Sequence, residues 1–363
     1  MEADSTKPLP QSAALRAALL RWYDAHGRDL PWRILPAARK AGAHPDAYRV
    51  WLGEVMAQQT TLAVVRGYHA RFIARWPDVN ALAQAAPGDV LSAWAGLGYY
   101  ARARNLHACA QRVVRDHGGV FPQTETALRT LPGIGAYTAA AMAALVHGAP
   151  ANVVDGNIER IMARLHAVQT PLPAAKKQIF ALAAHYVRKS RAADWPQALM
   201  DLGALVCRPK TPDCPACPVR AFCRAGKAGE AAGYPRRAAR KARPVRHGAA
   251  FVLVRDGAVL LRRRPAKGLL GGMSEVPGTD WREQRRTGAQ LLACAPLMAP
   301  WRATGQVRHV FTHFALELEV FCAPAPADYD TNAGWWAAAG ALQGEALPSL
   351  MRKVLTCALG TAR

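Results

Sequence analysis

A chain that places Leu131-Pro132-Gly133-Ile134-Gly135 between two helical stretches has few local ways to fold. Before it, residues 124–130 are a helix candidate: Thr124 is a suitable N-cap, and Leu128 and Leu131 lie on one helical face. Proline lacks an N–H and two glycines permit positive φ, so that helix stops here. Ala136 to Val146 is then a second, Ala-rich helix, ended by Gly148 and Pro150. The pattern is helix, glycine hairpin, helix. Gly133 and Gly135 leave backbone N–H groups free at a helix N-terminus, an anion site that grips a phosphate without reading base sequence. An ordinary tight helix–helix turn has the same sequence. Beyond Gly148 comes Asp155, in Val-Val-Asp-Gly-Asn, which reads either as a functional carboxylate or as a plain helix N-cap.

The 363 residues suffice for two domains, and 51% of them are hydrophobic, enough for real cores. Lys and Arg number 47 against 25 Asp and Glu, a net charge of +22, which favours a polyanionic partner. A membrane-surface protein is not expected, because no long basic amphipathic helix with bulky apolar residues appears. The apolar run 139–154 is broken by His147, Gly148 and Pro150 and is too short to span a bilayer. Residues 1–5 lack the charged-then-apolar order of a secretory signal, so a cytoplasmic protein, nucleoid-associated in use, is expected. Eight cysteines in that setting suggest metal or reduced thiols.

Leu15, Leu19, Leu20 and Trp22 mark an amphipathic first helix over residues 11–26. Leu30-Pro31-Trp32-Arg33 is a rigid, aromatic, basic corner, and residues 35–46 read as a loop ending in a helix start at Pro45-Asp46. The next helix carries Glu54 between apolar neighbours. Desolvation raises a carboxyl pKa, as a general acid needs near neutral pH; a salt-bridged edge Glu is the plainer reading. Gln58, Gln59, Thr60 and Thr61 form a polar cluster suited to base edges or to water. Ala-rich helices with Arg66, Arg71 and Arg75 outward follow. Trp94 to Tyr100 then puts an aromatic tip on a glycine-flanked turn beside Arg102 and Arg104. It reads as a wedge that unstacks a duplex, or as a buried tyrosine pair. Helices after Asp155, over 177–187 and around 197–203 complete an all-α domain.

Cys207, Cys214, Cys217 and Cys223 are spaced C-x6-C-x2-C-x5-C with prolines between, which means metal. Zinc usually takes two Cys-x-x-Cys knuckles; an iron–sulfur cluster accommodates this uneven run better. Residues 234–246, with Arg236, Arg237, Arg240, Lys241, Arg243 and Arg246 and no acid, read as an exposed tether able to lie along phosphates. Beyond it the period becomes two. Residues 249–254 and 258–261 flank Asp256-Gly257 as a hairpin, 306–320 is a strand pair or bent strand, and 350–359 closes as a helix. The fold expected is an all-α domain over residues 1–225, a basic linker over 226–247 and a smaller α+β domain over 248–363.

Glu54 in its apolar helix, the glycine hairpin, Asp155 and the four cysteines, in this order, resemble the MutY family of adenine DNA glycosylases. The resemblance covers the chain after its first ten residues. Hairpin, aspartate and cysteines are shared with the wider helix-hairpin-helix superfamily, including endonuclease III. Two features favour MutY: Tyr137 stands where lyase members carry a Schiff-base lysine, and the second domain resembles the family's Nudix-like domain. The resemblance implies a base-flipping enzyme with a [4Fe–4S] cluster on the four cysteines. It would excise adenine opposite 8-oxoguanine or guanine, in duplex DNA, as a monomer. Glu54 would protonate the adenine and Asp155 would stabilise the oxocarbenium-like sugar, with Tyr137 and Asn157 beside them. It further implies that Gln197 contacts the adenine, that Gln59, Leu97 and Tyr99 fill or wedge the duplex, and that Phe311-Thr312-His313 reads the oxidised guanine. Thr312 stands where the family usually has serine. Residues 281–290 hold a single acid, Glu283, so the Mg-binding helix of a Nudix hydrolase is missing. Three alternatives stand beside this reading. A bifunctional glycosylase/lyase is opposed by Tyr137, a non-catalytic damage sensor by the two carboxylates, and a nucleotide-pool hydrolase by the missing acids.

Overall fold

A computed structural model of the chain describes residues 11–239, 242–266, 268–329 and 334–360. The chain divides into two compact units: Met1–Gln84 with Ala108–Arg240, and Ala85–His107 with Lys241–Arg363. The second unit therefore includes a segment from the middle of the helical sequence.

The first unit is helical, as the 3.6-residue period predicts. Ala136–Leu145 is buried from Thr138 to its end. Alanines suit it because a helix enclosed all round has little room between neighbours. It packs against Ala47–Ala57, while Gly156–His166 packs against Asp194–Leu205, which also meets Ser12–His26. Residues 35–46 are not wholly loop. Pro36–Lys40 is a short helix with proline in its first turn, where the missing N–H costs nothing. Among the described residues no helix is long and apolar enough to cross a membrane.

The basic stretch is tied down at both ends. Leu172 N–H donates to the Arg236 carbonyl (2.8 Å) and Ala238 N–H to the Leu172 carbonyl (3.1 Å). Tyr234 is buried, and its carbonyl accepts from Arg164 Nε at 3.0 Å. Strand β1 (Val245–Arg255) starts within the stretch, with Arg246 over the Phe314 ring at 4.6 Å. Arg237 and Arg243 are exposed; Arg240 and Lys241 lie outside the described residues.

The second unit is built on β1, β2 (Ala258–Arg263), β3 (Ser274–Glu275), β4 (Arg302–Val310), β5 (Ala315–Pro324) and β6 (Gly334–Ala338). The strand order is β3-β2-β1-β5-β4, with β6 also on β2. β1 and β5 pair in parallel from Val245↔Ala315 to Val254↔Pro324. The β1–β2 turn uses Asp256 (φ 48°) and Gly257 (φ 72°), the double positive φ that an Asp-Gly hairpin supplies. Residues 306–320 resolve into two antiparallel strands, not one bent strand. Alternation sends Ala250, Val252, Leu316 and Leu318 to one face, under the helix Ser349–Leu359, and Phe251 and Phe321 to the other, under Leu291 and Trp301. β6 was not legible, because Gly-Trp-Trp-Ala-Ala carries no alternation and its pairing with β2 is what makes it a strand.

Candidate active site

Asp46 caps the helix Ala47–Ala57 by accepting from Arg49 N–H, and that helix buries Val50 to Met56. Glu54 lies inside this apolar run, 5% exposed. A neighbouring helix brings Tyr137 in its first turn, and the Tyr137 hydroxyl donates to Glu54 Oε2 at 2.6 Å. Burial is the main influence on Glu54 and pushes its pKa up; Tyr137, Arg33 and Trp32 pull it down, and Asp155 adds to the rise. The plainer reading of Glu54 as an edge residue is thereby set aside. Burial, with Glu54 and Asp155 nearby, also holds the Tyr137 phenol well above its usual pKa, so it stays an O–H donor. Trp32 comes close because residue 53 is glycine: a Cβ there would stand 2.4 Å from Trp32 Cδ2.

Glu54, Tyr137, Asp155, Asn157 and Gln59 line one cleft, with Arg28, Trp32, Arg33 and Met200. Asp155 is indeed an N-cap, that of Gly156–His166, and it faces the cleft as well. Its Oδ1 accepts from Asn157 N (2.9 Å) and Ile158 N (2.7 Å), and its Oδ2 from Asn157 Nδ2 (2.8 Å). Three N–H donors at the positive end of a helix fix an acceptor in place and match its negative charge. Asn157 Oδ1 in turn accepts from Arg160 Nη2 (3.0 Å), which also donates to the Gly203 carbonyl (2.7 Å).

Behind the cleft lies a third carboxylate. Asp201, whose side chain is fully buried, accepts from Arg33 Nη1, Arg28 Nε and Arg28 N–H, each at 2.7 Å. These three residues were missed in the sequence, where Arg28 and Arg33 read only as part of a basic corner. Asp201 sits in Leu-Met-Asp-Leu-Gly, an acid among apolar neighbours like Glu54, and that signal could have found it.

The glycine hairpin keeps its tip by burying Leu131 and Ile134, with Ile134 N–H on the Leu131 carbonyl at 3.2 Å and Gly133 at φ 73°. Thr124 and Asp155 cap their helices with side chains, whereas the N-cap of Ala136–Leu145 is Gly135, which has none. The first-turn N–H groups thus have no side-chain cap, the condition under which a helix N-terminus takes an anion.

Cys207, Cys214, Cys217 and Cys223 surround one hollow, with Arg164 at its wall. Arg164 is buried and donates to Cys207 Sγ (3.1 Å) and to the carbonyls of Cys207 (3.1 Å), Arg208 (2.8 Å) and Pro209 (2.8 Å). Burial pushes the Cys217 thiol up to about 12 and the Cys223 thiol to about 11, so thiolates here call for a cationic partner. Among the described residues no three His, Cys, Asp or Glu side chains group as they would around one ion. Four soft sulfur donors lining one hollow are chemically compatible with an iron–sulfur cluster.

The remaining candidates lie elsewhere. Gln197 is 1% exposed, donates Nε2 to the Ala193 carbonyl at 2.9 Å, and does not line the cleft. In the second unit Leu97 is buried, as is Tyr100, while Tyr99 is 52% exposed at φ 47°. The aromatic tip thus divides between the wedge and the buried reading. Phe311, Thr312 and His313 form the β4–β5 turn, where Phe311 stacks on Trp281 and Thr312 and His313 are exposed. The Tyr99 hydroxyl and Thr312 Oγ1 are 3.0 Å apart.

Comparison with known proteins matches two families in succession along the chain. Residues 52–188 match the HhH-GPD superfamily base excision DNA repair protein family, and residues 249–357 match the NUDIX domain family. The chain is 35% identical to the human adenine DNA glycosylase, over 87% of this chain and 68% of that protein. It is 34% identical to the Mus musculus adenine DNA glycosylase, over 94% of this chain and 77% of that protein. A solved thermostable thymine-DNA glycosylase aligns with a TM-score of 0.52 at 25% identity, over 60% of this chain and 97% of that one.

Proposed function

The chain belongs to the adenine DNA glycosylase family, and we propose that it removes adenine opposite 8-oxoguanine or guanine from duplex DNA by hydrolysing the N-glycosidic bond. One observation carries this reading: two carboxylates in opposed environments share a cleft, Glu54 in an apolar helix and Asp155 on a helix N-terminus. Adenine leaves poorly as an anion. Glu54, protonated because it is buried, gives its proton to the five-membered ring of the flipped base, and the departing adenine carries it away. Tyr137 keeps Oε2 of that carboxyl occupied and so aims the other oxygen. As the glycosidic bond breaks, positive charge grows on the sugar. Asp155, immobilised by Asn157 and its own helix, stabilises that charge electrostatically or by a transient covalent bond until water adds. The Gly135 N-cap holds a phosphate, and the +22 charge supports binding to a polyanion.

The four cysteines fit a [4Fe–4S] cluster as the cofactor, held with Arg164 alongside. When bound, the cluster supplies a rigid cross-link that fixes residues 207–223 against the helix bearing Arg160 and Arg164. Thr312, His313 and Phe311 read the oxidised guanine, and Gln59 and Tyr99 take the duplex, with buried Leu97 supporting the turn that carries Tyr99. Lyase chemistry needs an amine nucleophile. No lysine is among the described residues lining the cleft, so the enzyme is monofunctional.

The test is single-turnover cleavage of duplexes carrying A opposite 8-oxoguanine, A opposite G, and C opposite 8-oxoguanine, with and without borohydride. Excision of adenine from the first two without a trapped adduct is expected. Excision of the third, or a borohydride adduct, would overturn the reading.

A further inference from the structure

Arg33 and Glu54 line the same cleft, and each feels the other's charge. An arginine beside a carboxyl normally makes an ion pair and strips its proton. Here the guanidinium is engaged elsewhere. Its Nη1 lies 2.7 Å from Asp201 Oδ1, with both side chains almost wholly buried (4% and 0% exposed). Asp201 is itself held by Arg28 through Nε and the backbone N–H, so it cannot swing toward the cleft. The two arginines thus form part of the wall while the acid behind them is shielded from substrate. Glu54 meets Tyr137, Trp32, Arg33 and Asp155, and the cleft also holds Arg28; Tyr23 is the further titratable group near Arg33 and Asp201.

We propose that Asp201 is a positioning residue for the general acid: by pinning and neutralising Arg33 it keeps that guanidinium from capturing Glu54 as an ion pair, so Glu54 remains a proton donor. This rests on the glycosylase reading of the cleft. A buried Arg33 deprived of Asp201 still acts on Glu54, whereas Asp155 is held by Asn157 and Ile158, and pairing with Glu54 would ionise the acid.

The test is the pH dependence of single-turnover adenine excision by the full chain for wild type, Asp201→Asn, Asp201→Glu and Asp201→Asn with Arg33→Met. Activity needs protonated Glu54, so it falls as pH rises through the pKa of that group. Asp201→Asn should move this alkaline limb to lower pH by about 1–3 units, the usual effect of an unopposed neighbouring cation. The double variant removes Arg33, the arginine whose charge acts on Glu54, and should return the limb to wild type or above. Asp201→Glu keeps the charge and should stay within half of the Asp201→Asn shift. A merely structural Asp201 would slow every pH alike, and removing Arg33 would not restore the limb; either result overturns the proposal. If Asp201→Asn does not fold by circular dichroism, the double variant, which removes Arg33, the more deeply buried of the two arginines, together with its partner's charge, and Asp201→Glu decide. A double variant with a limb below wild type, or an Asp201→Glu limb shifted by more than about 1.5 units toward acid, then refutes it. Wild type that leaves adenine in place at every pH refutes the glycosylase reading instead.

Discussion

Replacing Tyr137 with Phe removes one hydroxyl and almost nothing else, so its effect can be worked from the structure. That hydroxyl donates to Glu54 Oε2 at 2.6 Å and favours the ionised carboxyl, against a burial that raises its pKa. Hydrogen bonds to charged groups contribute about 1.5–3 kcal/mol, and one pKa unit is about 1.4 kcal/mol. The variant should therefore raise the Glu54 pKa further by about 1–2 units. Stability follows the same sign. Because the folded pKa lies above the unfolded one, the contribution of protonated Glu54 is complete below the unfolded value of 4.5 and is lost as pH rises through the folded value. In Tyr137→Phe that loss should begin at the same pH, continue to higher pH and run deeper. The assays are single-turnover excision against pH and urea unfolding against pH. Both limbs should move to higher pH together. An excision limb that stays put or moves to lower pH would refute the assignment of Glu54 as the titrating acid and Tyr137 as its partner.

Wild type should carry about four irons per chain, and Arg164→Met should lose iron and about 3–5 kcal/mol of stability, because it strips buried donors from Cys207 Sγ and four carbonyls. Elemental analysis with urea melts checks both; stoichiometric zinc from iron-replete cells would contradict the cofactor. Thr312→Ala with His313→Ala in the full chain should reduce preference for A opposite 8-oxoguanine over A opposite G by about ten- to a hundredfold, as expected for lost base-edge bonds, without changing the salt slope of binding. Wild-type preference in that variant would move recognition of the oxidised base out of the β4–β5 turn.

Much of the fold was legible because its signals are local. Proline and paired glycines force the hairpin, and Asp256-Gly257 forces the β1–β2 turn, whatever the rest of the chain does. Glu54 stood out because a carboxyl inside an apolar helix has to be explained. What escaped the sequence depends on partners far along the chain. Asp201 is defined by Arg28 and Arg33, more than 160 residues away, and β6 by its pairing with β2. The basic stretch looked free from its charges alone. Its carbonyls at Tyr234 and Arg236 are taken by Arg164 and Leu172, which no composition argument supplies. Asp155 is the helix N-cap of the plainer reading, and its carboxylate also lines the cleft, so one residue's position is compatible with both readings.

The central claim is that burial keeps Glu54 protonated so that it can give that proton to the leaving adenine. Its most direct measurement is single-turnover excision from a duplex with A opposite 8-oxoguanine by Glu54→Gln, alongside the variant's affinity for the same duplex. Glutamine keeps the shape and can still meet Tyr137, but it has no proton to give. Affinity should stay within a few-fold of wild type, while excision should fall by at least the 10²–10⁴-fold (roughly) that general-acid help contributes. Excision within tenfold of wild type, with binding intact, would contradict the account.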